Sequence, residues 1–186
     1  VCKELSVNFA NFSKDEVKKL FSAIDNEKHR LMIELLYGSG MRVSELTNLK
    51  VKDLEIDKGW GFVRSGKGNK DRLFILSPNL KDKIKSLVNS EKLNLESYLF
   101  VSMRGAKYNI RSLQMIIKNA VCKAKIGKRV GPHTLRHSFA THLIENGYDV
   151  SQVQSLLGHK SPETTMIYVH MASPNMISVK SPIDNL

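Results

Sequence analysis

His133-Thr-Leu-Arg136-His137-Ser-Phe-Ala-Thr-His142-Leu143-Ile-Glu-Asn146-Gly147 is the stretch that decides how this chain folds. Leu135, Phe139 and Leu143 recur four apart, which stacks them on one face of a helix running from about His133 to Asn146, with Gly147 as its C-terminal cap. His133 and Arg136 are three apart and share a face at the mouth of that helix, where free peptide N–H groups favour anions. Such a pair suits a phosphate, although standing alone it reads equally well as a solvated basic helix start.

Outward from this helix the same periodicity continues. On the N-terminal side, Ile110, Leu113, Ile117, Ala120, Val121 and Ala124 form a helical face ending at Gly127, and the basic loop Gly127-Lys-Arg-Val-Gly-Pro132 joins the two helices. On the C-terminal side, Asp149 caps a shorter helix to Leu157, Gly158 ends it, and Ser161-Pro162 starts another that carries Tyr168. Nearer the start, Ser13-Lys-Asp-Glu16 is a capping box, so a helix begins near Lys14 with Val17, Leu20, Phe21 and Ile24 on one face. The apolar run Leu31 to Tyr37 stops at Gly38-Ser-Gly40, and a short helix with Val43, Leu46 and Leu49 follows the break.

From Leu54 to Ile75 the pattern changes to three short antiparallel strands, Leu54 to Ile56, Trp60 to Arg64 and Arg72 to Ile75, separated by turns at Asp57-Lys-Gly59 and Ser65-Gly-Lys-Gly-Asn69. Ser77-Pro78 opens a helix carrying Leu80, Ile84, Leu87 and Val88, and Ser90 to Tyr108 reads as irregular. The expected class is α+β, mostly α-helical, in one domain with a small three-stranded antiparallel sheet.

The 186 residues include 29 Lys and Arg against 18 acidic residues, a formal charge of +11, with a pI near 9.7. A surface of that sign draws a polyanion. With 41% apolar and 25% charged residues the composition is that of a globular domain, which argues against disorder, collagen and coiled coil. Cys2 and Cys122 cannot make a disulfide framework, and there is neither an apolar run long enough to span a bilayer nor a basic-then-apolar leader. The sequence therefore predicts a reduced, cytoplasmic location. It opens on Val1 with a loose stretch, so it reads as a domain cut from a longer polypeptide.

Further residues carry potential chemistry. Arg42 follows Gly-Ser-Gly and stands three before Glu45, which can orient it; by itself the pair is a surface ion pair of little energetic weight. Lys67 lies between two glycines in a turn, an amine on a mobile arm. Gly158-His159 follows a helix end, and Tyr168 comes nine residues later. Two patterns mislead. Gly61 to Lys67 has the spacing of a P-loop, but Gly68 stands where a magnesium-binding Ser or Thr belongs. His133 and His137 have the spacing of a zinc helix, but Thr134 replaces the glutamate.

Together, Gly-Ser-Gly-Met-Arg42-Val-Ser-Glu-Leu, Gly66-Lys67-Gly-Asn-Lys-Asp-Arg72, His133-Thr-Leu-Arg136-His-Ser-Phe-Ala-Thr-His142-Leu, Leu-Leu-Gly-His159 and Thr165-Met-Ile-Tyr168-Val-His resemble the catalytic domain of tyrosine recombinases. The resemblance runs from about Ser13 to Ala172 and is closest to the Xer recombinases of bacteria and archaea; Met41 departs from the Leu more usual there. It implies the tyrosine recombinase catalytic-domain fold and a DNA strand transferase that needs no cofactor and no metal. Arg42 and Arg136 would clamp the scissile phosphate, His159 would add a hydrogen bond, and Tyr168 would be the nucleophile. Lys67 would protonate the leaving oxygen, His133 would help remove the tyrosine proton, and Glu45 would support the arginines.

The implied role is chromosome or plasmid dimer resolution. The alternatives are a phage or mobile-element integrase of the same chemistry and a catalytically silent DNA-binding regulator. The implied partners are double-stranded DNA, three further recombinase subunits in a homotetramer or heterotetramer on two DNA sites, and an accessory regulatory protein. No membrane is involved, and the location is the nucleoid. Residues 1–12 read as a linker from an N-terminal core-binding domain, 13–172 as the catalytic domain and 173–186 as a tail. In the segment from Met171 to Leu186, Met171, Met176, Ile177 and Val179 are expected to dock on a protein surface, in cis or on a neighbour, with Pro174 and Pro182 interrupting any continuous helix.

Overall fold

The computed structural model describes residues 11–64, 71–103, 105–128, 130–157 and 180–186. The helices are α1 (Lys14–Ser22), α2 (Glu27–Ser39), α3 (Val43–Asn48), α4 (Pro78–Ser90), α5 (Ile110–Lys123), α6 (Pro132–Glu145) and α7 (Val150–Leu157). Between α3 and α4 lie β1 (Leu54–Glu55), β2 (Trp60–Val63) and β3 (Arg72–Ile75), an antiparallel sheet in that order. The architecture is the mostly helical α+β domain with a small three-stranded sheet that the sequence leads one to expect. Among the described residues no helix is long and apolar enough to cross a membrane.

Local chemistry sets the ends of these elements. Ser13 Oγ accepts from the Glu16 N–H at 3.2 Å while Glu16 Oε2 accepts from the Ser13 N–H at 2.7 Å, a reciprocal cap that starts α1. Ser77 caps α4, with Pro78 at its first position. Every residue of α2 from Leu31 to Ser39 is buried, because α1, α4 and α6 all pack around it. This helix runs through Gly38 and Ser39 and breaks at Gly40, the last residue of the expected Gly38-Ser-Gly40 break. Gly38 stays within the helix, and its missing side chain leaves room for the neighbours that close over it: a Cβ there would stand 3.0 Å from Leu80 and 3.2 Å from Ile183.

β2 pairs Val63 with Arg72 and Gly61 with Phe74, so Arg72 and Phe74 share the buried face of β3. Gly61 is required there, since a Cβ would lie 2.5 Å from the Phe74 ring. The segment read as irregular holds single bridges, Lys50 with Tyr98 and Val101 with Lys107. Met171, Met176, Ile177 and Val179 lie outside the described residues. The tail contacts that are described come from residues 180–186, where Pro182–Asn185 form a 3₁₀ turn, Ser181 Oγ donates to the Gly38 carbonyl at 2.5 Å, and Ile183 and Leu186 pack on the core.

The polar side of α6 grips the chain entering the domain. The Phe12 N–H donates to Ser138 Oγ at 2.8 Å, and Asn11 Nδ2 donates to Thr141 Oγ1 at 2.7 Å. His142, buried, bonds the Phe12 backbone and takes a 2.8 Å hydrogen bond at Nδ1 from the Tyr37 hydroxyl. Burial pushes the His142 imidazole below its ordinary 6.5, outweighing the opposing charge of Glu145. The unfolded chain therefore binds the proton more readily than the native one, and stability falls as pH drops through about 6.5. Tyr37→Phe leaves Nδ1 buried without a donor, and urea unfolding at neutral pH is expected to show a loss of about 1–3 kcal/mol.

Candidate active site

The break at Gly40 builds the site. Gly40 adopts φ 61°, ψ 25°, and a Cβ on it would stand 2.6 Å from the Phe139 ring, so both its backbone and its space demand glycine. The chain then turns into α3, where the Arg42 N–H donates to Glu45 Oε2 at 2.7 Å and Arg42 Nη1 donates to Oε1 at 2.8 Å. Arg136, one turn into α6, sends Nη1 to the Gly40 carbonyl at 2.6 Å and Nη2 to the Leu157 carbonyl at 2.5 Å.

Arg72, which the resemblance leaves without a role, completes the group. Its Nη1 donates to the Leu156 carbonyl at 2.7 Å and its Nη2 to Glu45 Oε2 at 2.7 Å, with a longer 3.5 Å contact to Gly40 O. Leu156 and Leu157 end α7, so their carbonyls are helix-terminal acceptors at the negative end of the helix dipole, and two guanidiniums satisfy them. The sequence signal for Arg72 was available: it alternates with Phe74 on the inward face of a strand, an unusual place for an unpaired cation.

Three guanidiniums thus surround one carboxylate, leaving an excess of positive charge at the Gly40 break. Burial would raise the Glu45 carboxyl, but the Arg72 charge and the hydrogen bonds from Arg72 and Arg42 hold it below its ordinary 4.5. Burial, reinforced by the charges of Arg72 and Arg42 and opposed by Glu45, pushes Arg136 down to about 10, still fully protonated at neutral pH. Arg72 and Arg136 are buried, whereas the Arg42 side chain is 45% exposed and faces solvent. The arrangement can hold an anion from two sides, one cation preorganised and one reaching in.

His133 is exposed in the first turn of α6 and makes no hydrogen bond to another described residue. Arg42, Glu45 and Arg136 are therefore brought into one cluster, with His133 a turn away from Arg136. Lys67, His159 and Tyr168 lie outside the described residues. In sequence, Lys67 stands five residues before Arg72 and His159 two residues after Leu157.

Residues 10–174 match the phage integrase family. The chain belongs to that family, the tyrosine recombinases. Among tyrosine recombinases it is 41% identical over 169 residues to XerA of Pyrococcus horikoshii, covering 89% of this chain and 58% of the relative. It is 39% identical over 175 residues to XerD of Oceanobacillus iheyensis, covering 88% of this chain and 58% of that one. A crystal structure of XerA recombinase superposes with a TM-score of 0.76 at 36% identity, over 88% of this chain and 61% of that one. The XerH recombinase bound to its difH substrate before cleavage gives 0.69 at 28% identity, over 87% and 50%. The chain thus spans somewhat under three fifths of the length of the curated recombinases it matches first.

Because the folded carboxyl of Glu45 titrates below its unfolded value, its ionisation stabilises the fold above about pH 4.5 and ceases to do so as pH falls through the lower folded value. The melting-temperature difference between the parent and Glu45→Gln is expected to be largest near neutral pH and to shrink in acid. A difference that grew on acidification would contradict the pairing.

Proposed function

We propose that this chain is the catalytic part of an Xer-like site-specific recombinase that cuts and rejoins duplex DNA through a 3′-phosphotyrosyl intermediate. The observation that carries this reading is the surplus of guanidinium charge at the Gly40 break. Such a surplus is costly to bury unless an anion arrives to share it, and a DNA phosphate brings one. Arg136 and Arg42 bind the two non-bridging oxygens and stabilise the added charge of the pentacoordinate transition state.

The Tyr168 hydroxyl, whose free pKa of ~10 leaves it mostly un-ionised at neutral pH, gives its proton toward His133 as its oxygen attacks phosphorus in line. The bond to the 5′-oxygen breaks, Lys67 protonates that oxygen, and His159 hydrogen-bonds the phosphate throughout. The phosphodiester energy is kept in the tyrosyl link, so a 5′-hydroxyl from a partner strand can reverse the step without ATP. Since the arginines supply the charge stabilisation, the proposed reaction calls for no metal and no cofactor.

The +11 charge supports duplex DNA as the partner, as does the DNA-bound state of the related XerH recombinase. We place the reaction in the cytoplasm at the nucleoid, in a tetramer on two sites that an accessory protein can regulate. Residues 1–12 act in this proposal as a linker, 13–172 as the catalytic unit and 173–186 as a tail that bears on neighbouring surfaces. Xer-like resolution is preferred to integration because XerA and XerD recombinases are among the relatives matched at about two-fifths identity.

With a nicked duplex carrying its recognition site, the parent is expected to accumulate a covalent adduct, seen as a retarded band on a denaturing gel. Tyr168→Phe should bind the duplex as well and give none. Adduct in unchanged yield from that variant would overturn the assignment.

A further inference from the structure

Arg72 has no part in the reaction just proposed, and the hydrogen-bonding capacity of Glu45 gives it one. Each carboxylate oxygen offers two lone pairs. Glu45 Oε2 accepts from the Arg42 N–H at 2.7 Å and from Arg72 Nη2 at 2.7 Å, which fills it, while Oε1 holds Arg42 Nη1 at 2.8 Å. Arg136 Nη1 is left 3.9 Å from Oε2, outside hydrogen-bond reach, and donates to the Gly40 carbonyl instead.

Arg136 has five N–H donors, of which the described partners, the Gly40 and Leu157 carbonyls, take two. Arg72 cannot drift from this place. It is buried on β3 opposite Val63, and its other terminal nitrogen is fixed on the Leu156 carbonyl. Were Arg72 absent, Arg136 Nη1, already 3.9 Å from Oε2, would be placed to fill the vacated lone pair.

We propose that Arg72 is a positioning residue: by filling Glu45 Oε2, the oxygen that Arg136 Nη1 approaches to 3.9 Å, it prevents that oxygen from capturing Arg136, and so keeps Arg136 available to the substrate's phosphate. The proposal rests on the phosphoryl-transfer reading above and deepens it. It makes Glu45 a necessary support that is also a standing competitor for the clamp, with Arg72 as the counter-charge that decides between the two.

The test is single-turnover adduct formation by the full chain on saturating nicked duplex. Arg72→Gln is expected to be slower by about 10²-fold, the usual effect of losing one transition-state donor, with duplex affinity unchanged. Adding Glu45→Gln removes the competitor, and the double variant is expected to be faster than Arg72→Gln by roughly tenfold, a negative coupling that simple loss of packing does not produce. A double variant as slow as Arg72→Gln, or slower, overturns the proposal.

Arg72→Lys keeps a positive charge beside Oε2 and guards against a glutamine variant that fails to fold. It is expected to retain most of the parent rate, and a lysine variant as slow as the glutamine one also overturns the proposal. The parent is the control for the underlying reading. If it forms no adduct on the same duplex, the strand-transfer assignment fails and this proposal with it, whereas a competent parent with no recovery in the double variant sinks the positioning role alone.

Discussion

Glu45, held by Arg42 and Arg72 at the Gly40 break, is the contact on which the arrangement of the domain turns. Its two oxygens tie the start of α3 to the start of β3, while the guanidiniums of Arg72 and Arg136 reach past it to the last carbonyls of α7 and to Gly40 itself. Five elements, the end of α2, α3, β3, α6 and the end of α7, are thereby fixed around one small volume. The energetics favour this only as a complete set: a buried guanidinium without acceptors or a buried carboxylate without donors would cost several kcal/mol, and here each finds partners. What the set does not neutralise is the net positive charge, and that residue of charge is what makes the place suited to a phosphate.

The scaffold around the cluster is arranged so that α6 cannot shift. On one side its apolar residues Phe139 and Leu143 pack with Val153, Leu156 and Leu157 of α7. On the other, Ser138, Thr141 and His142 hold residues 11–12 and Tyr37. Arg136 lies on the same helix, just N-terminal to both attachments. The tail at Ser181 bonds the Gly38 carbonyl, two residues before the Gly40 carbonyl that accepts from Arg136.

Much of this was legible in the residues because it is local. The capping box at Ser13, the Ser77-Pro78 start, the four-residue stacking of Leu135, Phe139 and Leu143, and the alternation through the three strands each depend on neighbours within a few positions. The motifs around Arg42 and Arg136 marked the cluster by residue type and resemblance. What escaped was long-range. Within Gly38-Ser-Gly40 nothing nearby in sequence tells that the helix continues through Gly38, where Leu80 and Ile183 close over it, and breaks only at Gly40. The role of Arg72 is not visible locally because its partners, Glu45 and Leu156, lie 27 and 84 positions away. The bridges of Lys50 with Tyr98 and Val101 with Lys107 were missed for the same reason, single pairings that leave no periodic trace.

The central claim is that the unneutralised charge of this cluster stabilises an anionic phosphoryl group. Arg42 can be removed with the least disturbance, since its side chain is the exposed member. The decisive measurement is therefore the adduct-forming rate of Arg42→Ala, relative to the parent, on two duplexes that differ only at the scissile position, one with the ordinary phosphodiester and one with an uncharged methylphosphonate. The account predicts a defect of about 10²-fold on the phosphodiester that largely disappears on the methylphosphonate, where less negative charge needs stabilising. Equal defects on both duplexes would contradict it.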